Sequence, residues 1–344
     1  MSSLKEIKDR IASVGGTLKI TSAMKMVASA KLHKAQQAIG NMLPYEKRLH
    51  SMLIDLMGAV NMSAPASEEG SARLVSLSNQ PDHTESEGAY SLMAQRQVHR
   101  VAIVAFASNS SLCGAFNSNA IREATAVINE YRASGLRDSD IVVYSVGRKM
   151  AEAMRKLGFP SPADFTKMSD SPSYEAASAL AQELLDGFVS GRFDKVELVY
   201  NHYKSTSSQP TTRQTYLPLS LADATADLQA GKIADSASES DTNRGAEPVG
   251  APVVRQGSPT TEDLIVEPSK EALIATLLPK VIRLRIFTTL LDSAAAEHAA
   301  RTVAMQLATD NGNDLLQELT LEYNKGRQQK ITSEILDLVG GSLQ

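Results

Sequence analysis

The residues around Cys113 are the first place to look for chemistry. A cysteine followed by Gly114, where a strand gives way to a helix, is a position at which a helix N-terminus would favour a thiolate. A nucleophile of that kind needs a base, and no histidine stands at a predictable position to serve one. The other reading of Cys113 is a small buried residue in a strand–helix turn. The same turn, residues 107–114 (ASNSSLCG), lacks the glycine spacing that lets a backbone approach a pyrophosphate. No G-x-x-x-x-G-K-[ST] occurs, since Gly231-Lys232 is followed by Ile233. His33, His50, His83, His99, His202 and His298 stand singly, and there is no H-E-x-x-H, so no metal site is expected. Cys113 is the one cysteine, which excludes an internal disulfide. These residue types do not converge on a catalytic constellation, and no cofactor is expected.

The elements that carry this turn read as an α/β domain over 98–220. Residues 101–107 (VAIVAFA) are a buried-strand run, 116–131 a helix, 140–146 (DIVVYSV) a second strand and 148–157 a helix. A further helix at 174–189 precedes a third strand at 195–203 (KVELVYNHY), and 212–217 adds an edge strand. Strands separated by helices predict a Rossmann-like domain with a mainly parallel sheet.

Two long helices flank that domain. In the C-terminal unit, 263–344, apolar residues recur in steps of mostly three and four from Leu273 to Leu338. Pro268-Ser269 marks the start of the helix and Gly340-Gly341 its end, with a kink expected at Pro279. From Pro279 to Gly340 the helix would span roughly 90 Å, far too long to stand without a partner. The N-terminal unit, 1–60, supplies one. Leu4, Ile7, Ile11, Val14 and Leu18 follow a heptad, which slips where Lys25 occupies the next apolar position; Met24 and Val27 then read as seam residues. The two helices are expected to pair as a long antiparallel coiled coil; the alternative is two core helices of a bundle. Gly15-Gly16 predicts a bend or fraying of the first helix, because each glycine costs roughly 1 kcal/mol relative to alanine. Residues 61–97 and 221–262 are low in periodicity and read as flexible insertions.

Composition narrows the class. Of 344 residues, 42% are hydrophobic and 22% charged, enough to bury a core. A net charge of −4 gives no case for nucleic acid, although Lys and Arg outnumber acids in residues 1–50, a pattern of solvation or of an acidic partner. No run of eighteen apolar residues is present to span a membrane. The N-terminus carries neither a signal-peptide nor a transit-peptide pattern, so a bacterial cytoplasmic protein is expected.

Both termini carry motifs that point further. KEIKDRIASV at 5–14, Lys19-Ile20-Thr21 and AMKMVA at 23–28 resemble the N-terminal helix of the F-type ATP synthase gamma subunit family. EHAARTVAM at 297–305, ATDN at 308–311 and RQQKITSE at 327–334 resemble its C-terminal helix, and Leu112-Cys113-Gly114 resembles the first turn of its central domain. The resemblance implies a central rotor shaft that couples ion flow to ATP synthesis or hydrolysis without being catalytic itself. The implied partners are the alpha and beta subunits, epsilon and the c-subunit ring. The implied location is peripheral, on the cytoplasmic face of the bacterial inner membrane, through the complex alone.

By the same resemblance, Met24 and Lys25 belong to the rotor–stator contact near the beta lever. Gln328, Thr332 and Glu334 face the same region, and Arg301 is a basic coupling position in the upper part of the C-terminal helix. Glu267 is a foot contact with the c ring. The apolar tip beyond Ile335 turns in a collar, and the segment from Ile331 onward also pairs with the N-terminal helix. The chain departs from the family at Ser110-Ser111, where a basic residue and a glycine are usual, and at Leu264 and Val266, where aromatics are usual. Two other classes compete: a coiled-coil scaffold and an α/β enzyme with a helical arm. The first has no need of the terminal motifs, and the second would need a phosphate loop or an acid–base set.

Overall fold

The computed structural model describes residues 3–62, 92–93, 95–219, 267 and 269–341. The chain runs α1 (Leu4–Met62), β1 (Val101–Phe106), α2 (Phe116–Ala133), β2 (Ile141–Val146), α3 (Arg148–Lys156), α4 (Thr166–Asp170), α5 (Tyr174–Val189), β3 (Lys195–Asn201), β4 (Thr211–Leu217) and α6 (Lys270–Gly341). The insertion readings at 61–97 and 221–262 fall largely or wholly outside the described residues.

The four strands lie in the order β2-β1-β3-β4. β1 pairs in parallel with β2 and β3, and β4 closes the edge antiparallel to β3, so the sheet is mainly parallel. Alternate residues of β1 feed two cores, as the period of a strand requires. Ala102, Val104 and Phe106 face α5, the lower part of α6 and the end of α1, where Leu49, Leu53 and Leu56 are buried. Val101, Ile103 and Ala105 face α2 and α3. β1 is buried along its whole length, which is why it reads as an unbroken apolar run.

The termini meet as expected, in one antiparallel pair. Ser269 caps α6, its hydroxyl accepting the Ala272 N–H at 3.1 Å. The seam of α1 takes in Leu4, Ile7, Ile11, Val14, Leu18, Thr21, Lys25, Ala28 and Leu32, all buried or half-buried. The predicted slip at Lys25 is therefore one of residue type only. The heptad register continues unbroken with polar Thr21 and Lys25 on it. Thr309 donates to the Thr21 hydroxyl across the seam at 2.9 Å. Met24 and Val27 are not seam residues: they stand beside the seam at 39% and 58% exposure. Heptad position, not side-chain character, decides which face is covered.

Glycines set the register. A Cβ at Gly312 would lie 2.7 Å from Leu18 Cδ2, and one at Gly326 would lie 3.0 Å from Leu4 Cδ2. Going up α1 from Leu4 to Leu18 descends α6 by the same interval, from Gly326 to Gly312. Gly15 and Gly16 differ, since a Cβ at either would meet nothing within 4 Å, and α1 continues through them without fraying. α6 likewise passes through Pro279, where Leu278 and Val281 are buried on either side.

Because α1 begins opposite Gly326, α6 beyond that point has no neighbour from α1. Ile331, Ile335, Leu336 and Leu338 are 47–75% exposed. The expected pairing of residues after Ile331 with α1 is corrected: the end of α6 projects alone.

Candidate functional site

The middle of α1 forms one wall of a groove of about 550 Å³, with α6, α4 and the β1–α2 turn closing the other sides. Ile20, Met24 and Val27 line it and are 56%, 39% and 58% exposed. Lys19 and Lys31 flank them on the same wall. Apolar side chains left uncovered on a helix whose seam is already satisfied mark an interaction face. Two lysines beside them favour an acidic partner.

The floor belongs to α6. Glu297 is buried, and burial raises its pKa against the lowering effect of Arg301, whose guanidinium reaches Glu297 Oε1 at 2.7 Å. Arg301 also donates to the Ser111 carbonyl at 2.6 Å and to the Ser110 hydroxyl at 2.9 Å. It thus ties α6 to the β1–α2 turn, and only 14% of its side chain is exposed. His298 is held near a pKa of about 4, first by burial and then by the Lys31 and Arg301 charges, so its ring is neutral at physiological pH.

The turn itself is rigid. Leu112 adopts a left-handed backbone (φ 68°) and presents a 59% exposed side chain. The Ser110 carbonyl accepts from the Ser108 hydroxyl and from Asn117 Nδ2, at 2.6 and 3.1 Å. Cys113 is buried, and its sulfur receives Asn117 Nδ2 at 3.2 Å, the structural reading of that thiol. Several amides at this corner are engaged within the chain. Ser108 N–H goes to Asn117 Oδ1, Arg148 N–H to Asn109 Oδ1 and Lys149 N–H to the Ser108 carbonyl. Gly147 (φ 100°) lets these two turns touch, since a Cβ there would lie 2.0 Å from the Ala107 carbonyl oxygen.

The positions singled out from the sequence fall in four places. Met24 and Arg301 share the groove. Lys25, half-buried on the seam, does not line the groove. Gln328, Thr332 and Glu334 lie on the free end of α6, exposed to solvent. The Thr332 hydroxyl bonds back to the Gln328 carbonyl at 2.9 Å, and Glu334 meets Lys330 at 3.8 Å. At 1.5 Å per residue, Thr332 stands roughly 45 Å along the shaft from Arg301, so these residues form no single site. Glu267 is exposed at the opposite end, just before the cap of α6. Ile20, Lys31, Asp170 and His298 were not anticipated. Ile20 had a legible signal, an isoleucine off the heptad of a long helix; the floor residues come from remote elements and had none. Among the described residues no cluster could hold a metal ion, and no helix is long and apolar enough to cross a membrane.

A family model described as ATP synthase matches residues 3–343. The ATP synthase gamma chain of Phocaeicola vulgatus is 48% identical over 343 residues, spanning 100% of both chains. That of Bacteroides thetaiotaomicron is 46% identical over 344 residues, again spanning 100% of each, and that of Flavobacterium johnsoniae 36% over 342 residues, spanning 99% and 98%. Among solved structures, a chain of the Euglena gracilis mitochondrial ATP synthase (OSCP/F1/c-ring, rotational state 3) superposes with a TM-score of 0.53 at 19% identity. That match covers 98% of this chain and 92% of the other. A chain of the rotor of the same assembly gives 0.51 at 18% identity, covering 95% and 98%.

Proposed function

The chain belongs to the ATP synthase gamma-chain family, and we propose that it transmits torque as the central shaft of a bacterial enzyme without performing chemistry itself. The observation that carries this reading is the unbroken α1/α6 seam with its fixed register from Leu4–Gly326 to Leu18–Gly312. Two helices locked along their length resist twisting better than either alone. The central sheet packs against one end of the pair, and the other end projects as a single helix. Such a body has an inside that turns as a unit and an outside that differs on every face.

The shaft works between the alpha and beta subunits above and epsilon and the c-subunit ring below. The groove at Ile20, Met24 and Val27, with Lys19 and Lys31, meets the moving part of beta; Gln328, Thr332 and Glu334 act on the alpha/beta ring farther up. Arg301 serves from within, by holding the β1–α2 turn to α6, and Glu267 is the foot contact. Turning the shaft presents the apolar–basic wall to each catalytic subunit in turn, and its differential contacts shift the open and closed populations of those sites. The chain sits peripherally at the cytoplasmic face of the inner membrane, through its partners alone. A free-standing scaffold would have no use for the groove and the projecting tip at different levels of one rod.

Alpha and beta chains from the same source, expressed with and without this chain, test the reading. A complex that co-purifies with it and hydrolyses ATP, while the chain alone does not, is the expected result. Failure to associate, or hydrolysis by the isolated chain, would overturn it.

A further inference from the structure

The β3–β4 connection meets both shaft helices at one corner. Asp292 of α6 receives two donors from consecutive residues there. Its Oδ2 lies 2.6 Å from His202 Nδ1, and its Oδ1 accepts the Tyr203 backbone N–H at 2.8 Å. The Tyr203 hydroxyl in turn accepts from Gln36 Nε2 of α1 at 2.6 Å. The Asp292 side chain is 18% exposed and that of His202 51%, so the pair is partly shielded but reachable by protons.

We infer that Asp292 is a positioning residue for torque transmission: by gripping the His202–Tyr203 corner it makes the central sheet turn with the shaft, more firmly when His202 carries a charge. This rests on the rotor reading for its meaning, though not for its first two tests.

Three other polar ties between the central domain and the shaft are of a different kind. Tyr216 donates its hydroxyl to the Ile282 carbonyl at 2.9 Å, Arg283 donates to Gln182, and Arg301 holds the Ser110–Ser111 turn. None of these contains a histidine. An imidazolium–carboxylate bond is charge-assisted and stronger than its neutral counterpart, and histidine alone titrates unperturbed between about pH 6 and 8. Asp292 from α6 and Lys204 from the same connection act on the ring in opposite senses, while α1 presents neutral Gln36 at this corner. The hydrogen bond to Asp292 dominates and raises the His202 pKa, with burial and Lys204 opposing. A raised folded-state pKa means the added grip is full below about 6.5, the unfolded value, and is lost as pH rises through the folded value.

Histidine NMR titration of the full chain should show His202 protonating above the ordinary range, and falling back to it in Asp292→Asn. Amide exchange at 202–204, corrected for intrinsic rates, should quicken roughly tenfold between pH 6 and 8.5, the scale of one charged hydrogen bond. His202→Gln, which keeps the backbone bond to Asp292, should remove that pH dependence, and Asp292→Asn should be fast throughout. In the reconstituted complex, ions pumped per ATP should drop in Asp292→Asn at pH 6 and approach wild type at pH 8.5, with His202→Gln flat. An ordinary His202 titration, or identical pH profiles of exchange in wild type and His202→Gln, would overturn the grip. Wild-type pumping in both variants at every pH, with the exchange results as expected, would overturn the torque role alone. Failure of the chain to join alpha and beta would instead count against the rotor reading.

Discussion

Leu18 occupies the space that a side chain at Gly312 would need, its Cδ2 lying 2.7 Å from where a Cβ would stand. The glycine costs helix propensity and returns a tight crossing, so the two helices interlock at this level. Gly312→Val should lower the stability of the isolated chain by about 1–3 kcal/mol through overpacking. Gly15→Ala, where a Cβ meets nothing within 4 Å, should raise it by about 1 kcal/mol. Urea melts of the two variants decide this; equal shifts would mean that the Leu18 contact does not set the packing.

Among the described residues, ending the chain after Lys330 removes only helix that lies past Leu4. The thermal transition of the isolated chain should stay within about 1 °C of wild type, because no buried side chain loses a neighbour. Ending it after Asp310 deprives Leu18, Ile7 and Leu4 of their partners and should lower the midpoint by several degrees. In reconstituted complexes the shorter cut should still reduce hydrolysis, through loss of Thr332 and Glu334. A large thermal loss from the Lys330 cut would show that the tip folds back on the coil.

Met24→Lys adds a third cation to a wall that already carries Lys19 and Lys31. The position is exposed, so stability of the chain alone should change by less than about 0.5 kcal/mol. The effect belongs to the complex, where ATP hydrolysis should persist while ATP-driven ion pumping falls. Proportional loss of both at normal assembly would remove Met24 from the coupling surface.

Glu197 is buried on β3, where Arg213 reaches it at 2.7 Å, Lys195 at 2.7 Å and the Tyr131 hydroxyl at 2.6 Å. Burial alone would raise its pKa, but these hydrogen bonds together outweigh it and the net shift is downward. A lowered folded-state pKa contributes stability above the unfolded value, about 4.3, and loses it as pH falls through the folded value. Arg213→Met should cost roughly 3 kcal/mol at pH 7 by leaving a buried carboxylate underpaired. It should also move acid unfolding to higher pH. An unchanged acid midpoint would mean that Lys195 and Tyr131 suffice.

Much of this protein is legible in its sequence because its main features are periodic. A buried parallel strand announces itself as VAIVAFA, and a long pair of helices announces itself by apolar steps of three and four at both termini. The motifs at 5–14 and 327–334 identify the family without any geometry. Glycines such as Gly312 and Gly326 also carried a signal, since a glycine deep in a long helix asks for a packing reason.

What only the tertiary structure decided is which residue faces which. Lys25 looked like a break in the seam and Met24 like part of it; the register shows the reverse, because helix geometry rather than polarity assigns the face. The level at which α1 starts, opposite Gly326, decides that Thr332 and Glu334 stand on a lone helix. Arg301 looked like a free coupling charge, yet it is spent on Ser110, Ser111 and Glu297. The Asp292 grip joins residues some ninety positions apart. No local pattern encodes such pairings, since they exist only once the sheet and the two helices have packed.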